Sequence, residues 1–471
     1  MGGCIGRWSG IVYVHSRQSG AGGGRQEAML GKQTSVPYFC WVVAAIVPLL
    51  MGWAVGCSRR QASPSHHRTE RPQRDSESVE SQPSVLADTG PSSRPAWLSE
   101  MGGQGWLERV QKFRRWVVRD WEAFLNSPSA LDLAPDANRM VVFEARFNEK
   151  AIAVLNRYPQ IDALKVYNSC LAADDFRNLA KVKHLKEIEF RLCRCEDDDL
   201  ALLGASRSLI SLVMRDCDGF SGTGLRPLVG LERLEIHGEN LKDLTEGGLA
   251  SLRHLSRLKS VEIWVRRSSK DKAFEPTNRI LEYLKDHQDM RIIFLSGENI
   301  SDEGLVNLAG MAGIERLGFD SSRITNAGLK HIAGLKALWG LGLINADIDG
   351  SGLAQLVSLA DIKQLNVSCS SFDDASMGIL ARARSLRTLG LAETRVSDEG
   401  IRRILQLPNL EVINLSHTKV TDSGVLELGS LPNLQKLFLE GSGVTGSLPR
   451  TLPGNGAVII DWLDIGVVTS D

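Results

Sequence analysis

The chain has 471 residues and a formal net charge of −1, from 55 basic and 56 acidic side chains. That length suits two or three ordinary domains or one extended array. The charge balance argues against a general nucleic-acid binder, whose affinity comes mainly from neutralising phosphates. The nine His are scattered without metal-ligand spacing and the eight Cys contain no CxxC pair, so neither a metal nor a disulfide framework is expected.

From Pro37 to Gly56 the chain reads PYFCWVVAAIVPLLMGWAVG, without a charge. A run of that length can span a bilayer as a helix. It also fits the apolar core of a signal peptide. With Met29 as the start, Lys32 supplies a short basic n-region, and Ala54-Val55-Gly56-Cys57 resembles a bacterial lipobox. That resemblance implies lipidation of Cys57 as the mature N-terminus; each buried CH₂ of an acyl chain contributes about 0.8 kcal/mol to anchoring. Arg59 and Arg60 leave an uncleaved single-pass anchor open, because cations beside an apolar run hold that side in the cytoplasm. Residues 1–28 are then expected to be a non-native or disordered extension, and 29–57 the signal or membrane segment. Residues 58–96 are rich in Ser, Pro, Arg and Glu. They bury too little apolar surface to offset their ordering entropy and are expected to be a disordered linker.

Residues 97–158 are expected to form a helical N-terminal cap. Within GWLERVQKFRRWVVRDWEAFLN, the side chains Trp106, Val110, Phe113, Trp116, Val117 and Trp121 fall at helical spacing. Such a stripe would cover the open end of a neighbouring core.

From Ile161 onward the chain is periodic. Leu410, Ile413, Leu415, Thr418, Val420, Thr421, Asp422 and Gly424 recur as Leu386, Leu389, Leu391, Thr394, Val396, Ser397, Asp398 and Gly400. The same first position falls at Ile362, Leu338, Ile314 and Met290, and forward at Leu434. A constant spacing of this kind marks a repeat array. Upstream it persists at Ile161, Leu185 and Leu209, then loosens to Leu231 and Leu258. Met140 and Val142 suggest a half-formed unit before them. About twelve repeats therefore occupy residues 159–455, and GAVIIDWLDIGVV opens a C-terminal cap at 456–471. Positions four and six of each unit, such as Ile413 and Leu415, alternate like an inward-facing strand. Position nine, held by Thr418, Thr394, Ser442, Ser370, Ser322, Cys193 and Cys217, should turn inward and satisfy loop carbonyls. Thr421, Ser397, Ser301 and Thr325 sit where a helix N-cap is wanted. Gly424, Gly400, Gly328 and Gly304 mark close packing on the neighbouring unit.

This pattern resembles the leucine-rich repeat family, from L-x-x-L-x-L through T-x-V-T-D-x-G-L. Within it the tail is similar to the 24-residue cysteine-containing, F-box-associated-like subclass, as in planctomycete-type bacterial arrays. The resemblance covers about 300 residues. It implies an α/β solenoid: a horseshoe with a parallel concave sheet and convex helices. No F-box is expected, because the LP-x-E-type start of that motif is missing.

Residues for chemistry are sparse. No Gly-rich phosphate loop follows a strand and GxSxG does not occur, so an enzyme, a cofactor and a metal are not expected. Asp197 to Asp199 read as a solvated turn, and Cys193-Arg194-Cys195 as structural. Positions three, five and seven should face the concave side. The early repeats place Tyr167, Arg191, Arg215, Arg233, His237, Glu262, Trp264 and Phe294 there, whereas later ones offer mainly Gly, Ser, Ala and Asn. Exposed Trp and Arg are enriched at binding hot spots. Trp264 also precedes the main insertion, VRRSSKDKAFEPTNR, and a long loop that breaks a period is more often functional than idle. The competing reading is that Arg191 and Arg215 merely neutralise Glu187, Glu189 and Glu235 on a solvated face. The Gly-rich half either lets a partner backbone approach or reflects drift. The expectation is a monomeric, membrane-tethered, non-catalytic protein of a bacterial envelope that binds a protein or peptide on the concave face. The alternative is a structural surface scaffold or spacer without a discrete ligand.

Overall fold

The computed structural model describes residues 117–118, 125, 138–238, 241–265, 274–445, 448, 452 and 459–461. Cys57, the linker, most of the expected cap helix and residues 266–273 of the insertion lie outside these residues. Among the described residues no helix is long and apolar enough to cross a membrane.

Among the same residues, fifteen strands form one parallel sheet whose order follows the sequence. They are β1 Val117–Val118, β2 Arg139–Phe143, β3 Ala163–Tyr167, β4 Glu187–Arg191, β5 Ser211–Arg215, β6 Arg233–Gly238, β7 Ser260–Val265 and β8 Ile292–Ser296. Then come β9 Arg316–Asp320, β10 Gly340–Ile344, β11 Gln364–Asn366, β12 Thr388–Gly390, β13 Val412–Asn414, β14 Lys436–Phe438 and β15 Ile459–Asp461. The twelve predicted repeats are β3 to β14, most with a short α or 3-10 segment after the strand. Where the period loosens, the pairing does not slip: Ser211 lies opposite Arg233, Arg233 opposite Ser260, and Ser260 opposite Ile292. Extra residues are taken up outside the sheet, because a slip of one would turn every buried side chain outward.

The N-terminal end differs from expectation. Val117 is not in a helix but in β1, opposite Val141. Met140 and Val142 belong to a full unit, since β2 pairs along its whole length with β3 and is followed by the helix Glu149–Leu155. The physical reason is alternation: Met140 and Val142 are buried in the same core as Leu164 and Val166. Ile459–Asp461 likewise extends the sheet beyond β14.

Position eight makes the exit from the strand, with φ of 55° at His417, 55° at Glu393 and 57° at Cys369. That left-handed residue swings position nine inward. There Thr418 and Thr394 donate their hydroxyls to Leu415 O and Leu391 O, each at 2.6 Å. Cys193 donates to the carbonyls of Arg191 and Val166. Burial pushes its thiol up to about 11, so it is a structural donor. Ser322 is an exception, its buried hydroxyl lacking a hydrogen-bond partner among the described residues.

On the opposite side, the residue after several of the N-caps reaches forward to the next repeat. The Asp398 carboxylate accepts the Thr421 amide at 2.8 Å and the Thr421 hydroxyl at 2.6 Å. Asp374 does the same for Ser397, and Asp302 for Thr325. Asn278 serves Ser301 through its amide oxygen and nitrogen. Asp197 accepts the amides of Ser221, Gly222 and Gly224 at 2.7, 3.1 and 2.7 Å. It opens the helix Asp197–Ala201 and is a clamp, not the solvated turn expected of it. Burial would raise its pKa, but the Gly224 and Ser221 amides outweigh that and hold the carboxyl below its ordinary value. This clamp also explains the conspicuous glycine. A Cβ on Gly424 would collide with the Asp398 carboxylate, and one on Gly400 with that of Asp374.

Gly424→Ala is therefore expected to lower the unfolding midpoint, costing on the order of 1–3 kcal/mol. With Asp398→Ala already in place, the same change should be neutral or stabilising by up to about 1 kcal/mol through helix propensity. Equal effects in both backgrounds, measured by urea unfolding, would contradict this packing.

Candidate interaction site on the concave face

Two arrangements occupy the concave face of the early repeats. The first is a chain of alternating charges. Lys165 pairs with Glu189, and Glu189 with Arg215 at 3.3 Å. Arg215 continues to Glu235 at 3.0 Å, and Glu235 to Arg233. Arg233 lies 3.8 Å from Glu187, which meets Arg139 at 3.1 Å. The chain runs from β2 to β6 because these residues share positions three, five and seven in registered parallel strands. Glu189 and Glu235 are buried beneath it, at 5% and 3% exposure. Buried carboxylates of this kind persist only when their lone pairs are met, and losing one partner leaves a costly unpaired charge. The neutralisation reading is thus right for Arg215, which pairs with Glu189 and Glu235. It fails for Arg191, which instead lies over the Tyr167 ring, 5.7 Å from its centroid.

The second arrangement is a row of flat groups. His237 and Trp264 are 6.5 Å apart between ring centroids, and Trp264 stacks on Phe294 at 6.2 Å and 24°. The Arg316 guanidinium lies 4.9 Å from the Phe294 centroid and 5.6 Å from that of Trp339. The row crosses the sheet from β6 to the edge of β10. Phe294 leans onto Gly318, where no Cβ intervenes.

Glu235, His237 and Glu262 bring ligand-type atoms within 4.8 Å of one another. Their protons and partners do not suit a cation. Glu235 is already held by both Arg215 and Arg233. An Arg215 Nη, always a donor, sits 3.2 Å from His237 Nδ1. Nδ1 is therefore the acceptor, and the neutral ring carries its proton on Nε2, the atom that faces Glu235 at 3.5 Å. Burial, then Arg215 and Arg233, hold the imidazole well below its ordinary pKa and keep it neutral. Burial, and then Glu235, push the half-buried Glu262 carboxyl up to about 7, against the pull of Arg233, Arg316 and Arg215.

All eight residues expected to bind a partner are on this face. The structure joins Arg215, Arg233 and His237 in the charged chain and its border. It places Trp264 and Phe294 in the flat row, Glu262 between the two, and Tyr167 with Arg191 at the N-terminal end. Arg316 and Trp339 join them without having been expected from sequence. Arg316 is position three of the unit starting at Ile314, so a list of position-three residues beside positions five and seven contains it. Trp339 precedes its strand, and strand alternation gives no sign of it. In the later repeats the face is closed from within. Asn366 accepts from Ser368, Ser368 accepts the Ala392 amide, and Asn414 accepts the Ser416 amide. Gly390 is covered by the Asn366 side chain, so it is no landing place for another backbone.

A family model described as a leucine-rich repeat matches residues 406–429. Similar solved structures include an internalin of Listeria monocytogenes, 18% identical over 73% of this chain and 94% of that one, with a TM-score of 0.45. The yeast Rad7 and Elc1 complex aligns at 21% identity over 77% of this chain and 98% of that chain, with a TM-score of 0.49. A Leptospira interrogans leucine-rich repeat protein aligns at 13% identity over 74% and 99%, with a TM-score of 0.34. No curated protein matches. One registered strand per repeat, together with the matched unit, gives the chain the leucine-rich repeat fold, an α/β solenoid. Such folds commonly mediate protein–protein interaction, on extended concave surfaces.

Glu262 has a testable consequence. Its folded pKa lies above the ordinary 4.5, so the folded state takes up the proton more readily than the unfolded chain. Its penalty is absent below about pH 4.5, grows between there and about 7, and is complete above. Glu262→Gln is expected to leave stability nearly unchanged at about pH 4.5 and to raise it by on the order of 1–3 kcal/mol at about pH 8. Urea unfolding of both proteins at the two pH values checks this, and a pH-independent difference would contradict it.

Proposed function

We propose that this chain is a non-catalytic binding protein of a bacterial envelope, tethered through its N-terminal segment, that receives a protein segment on the concave face of its early repeats. One observation carries the reading. The flat groups of His237, Trp264, Phe294, Arg316 and Trp339 form a continuous row across the strands, on a sheet whose register fixes their spacing. Strands lie about 4.8 Å apart, so an extended segment crossing them meets the half-buried His237, Trp264, Arg316 and Trp339 in turn, with the buried Phe294 beneath. Rigid aromatic and guanidinium groups lose little rotamer freedom on contact and supply large contact areas, the traits of interface hot spots. The charged chain beside the row fixes the floor. Arg191 over Tyr167, with the exposed Leu192 next to it, extends the surface toward the N-terminus.

The tether rests on sequence: the apolar run Pro37–Gly56 and the lipobox-like Ala54-Val55-Gly56-Cys57. Two measurements test the proposal. Trp264→Ala and Arg191→Ala are each expected to weaken capture of the partner from envelope extract about tenfold or more, and unchanged capture by both would remove this surface from consideration. Mass spectrometry of the mature N-terminus is expected to show an acylated Cys57; an intact Met1 or Met29 would overturn the lipoprotein tether.

A further inference from the structure

Arg316 is the guanidinium on this surface whose buried nitrogen is left without an acceptor. The chain of ion pairs already engages Glu187, Glu189 and Glu235 with other cations. Among the described residues Arg316 makes no hydrogen bond and no ion pair, and its Nε is buried without an acceptor. Its Nη groups are not enclosed in that way. They remain directed donors, while Phe294 and Trp339 hold the plane of the group between them. Its stem rests against Gly340, 3.1 Å from where a Cβ would stand.

Such a group is costly as it stands. Burial lowers the Arg316 pKa, against the attraction of Glu262 and with repulsion from Arg233 added. Glu262 is the acid nearest in effect, yet it forms no ion pair with Arg316 within 4.0 Å. Burial, and then Glu235 from β6, also keep Glu262 partly protonated at neutral pH, although Arg233, Arg316 and Arg215 all pull the other way. A planar, preorganised, desolvated guanidinium without a counter-ion calls for a planar anionic acceptor, and a carboxylate matches its fork. Neutral ligands would leave the charge unmet.

We infer that Arg316 anchors an acidic side chain, an aspartate or glutamate, of the partner polypeptide that crosses the concave face. The inference rests on the reading of that face as a protein-binding surface. It adds which chemistry is recognised and by which residue. The neighbouring Trp264–Phe294 stack then takes the apolar part of the same segment.

The test is a selection of random decapeptides displayed with blocked C-termini on the detergent-solubilised full-length protein, in parallel with Arg316→Gln and Arg316→Lys. Both variants are first shown to unfold at the wild-type midpoint. Peptides selected by the wild type are expected to be enriched in Asp or Glu at one fixed position. Their affinity should fall about tenfold or more with Arg316→Gln and the acid preference should persist, weakened, with Arg316→Lys. Selection of peptides without that acid, or acid enrichment that survives Arg316→Gln, would overturn the anchor while leaving the protein-binding surface standing. Failure to select any peptide would overturn both. If binding instead requires a free C-terminal carboxylate, shown by synthetic peptides with free and amidated ends, the assignment to a side chain falls.

Discussion

The Asp398 carboxylate stands where the next repeat has no side chain, and it closes that repeat's helix N-terminus with two hydrogen bonds. The same contact recurs at Asp302 and Asp374, with Asn278 and Asp197 as variants. A short convex turn of four to seven residues has too few internal bonds to be stable alone. Its exposed amides are met by the preceding repeat, so each unit is complete only when its neighbour is in place. This is the nearest-neighbour dependence of a solenoid at the level of single atoms. Together with the buried position-nine donors, it ties the strand-exit loops and the convex turns to one register.

That register decides what the concave face can do. Parallel strands without slip bring position five of one repeat beside position five of the next, so the charges from β2 to β6 meet as an alternating chain. Farther along, the same geometry stacks Trp264, Phe294 and Arg316. The face therefore divides by how fully its groups satisfy one another. The charged chain and the Asn-Ser network of the late repeats are closed. The region around Glu262 and Arg316 is where an acid sits near its titration midpoint and a guanidinium lacks an acceptor. The buried Arg316 Nε, a charged donor without an acceptor, marks that region as a centre for recognition.

Most of the solenoid is legible in sequence because its constraints are periodic. Ile413 and Leu415, or Leu389 and Leu391, declare an inward strand face, and Thr418 declares a buried donor that nothing else in the unit supplies. Twelve strands appear where the pattern places them. The Asp398 clamp is harder to see, since the carboxylate and its partner Thr421 lie in different repeats and both are already accounted for locally, as first-turn acid and N-cap. Asp197 is hidden for that reason: three acids in a row look like a solvated turn until the amides of Ser221 to Gly224 arrive from the following unit. Val117 reads as helical because its Trp and Phe neighbours repeat at helical spacing, whereas the adjoining sheet edge imposes a strand. At the site, the residue types on positions five and seven are legible. Which of them cancel one another is not, because that depends on side-chain direction across neighbouring strands. Arg316 shows this most clearly: its importance comes from what fails to reach it.

If the unsatisfied centre governs recognition, partner contact is confined to the early half of the concave sheet. Photo-crosslinking in the native cell distinguishes the two halves, with a benzophenone amino acid placed in turn at Trp264, at Ala392 on the late concave face and at Leu426 on the convex side. One discrete crosslinked polypeptide is expected from position 264 and none from the other two. Crosslinks of equal yield at all three positions, or at 392 alone, would contradict a recognition surface centred on the early repeats.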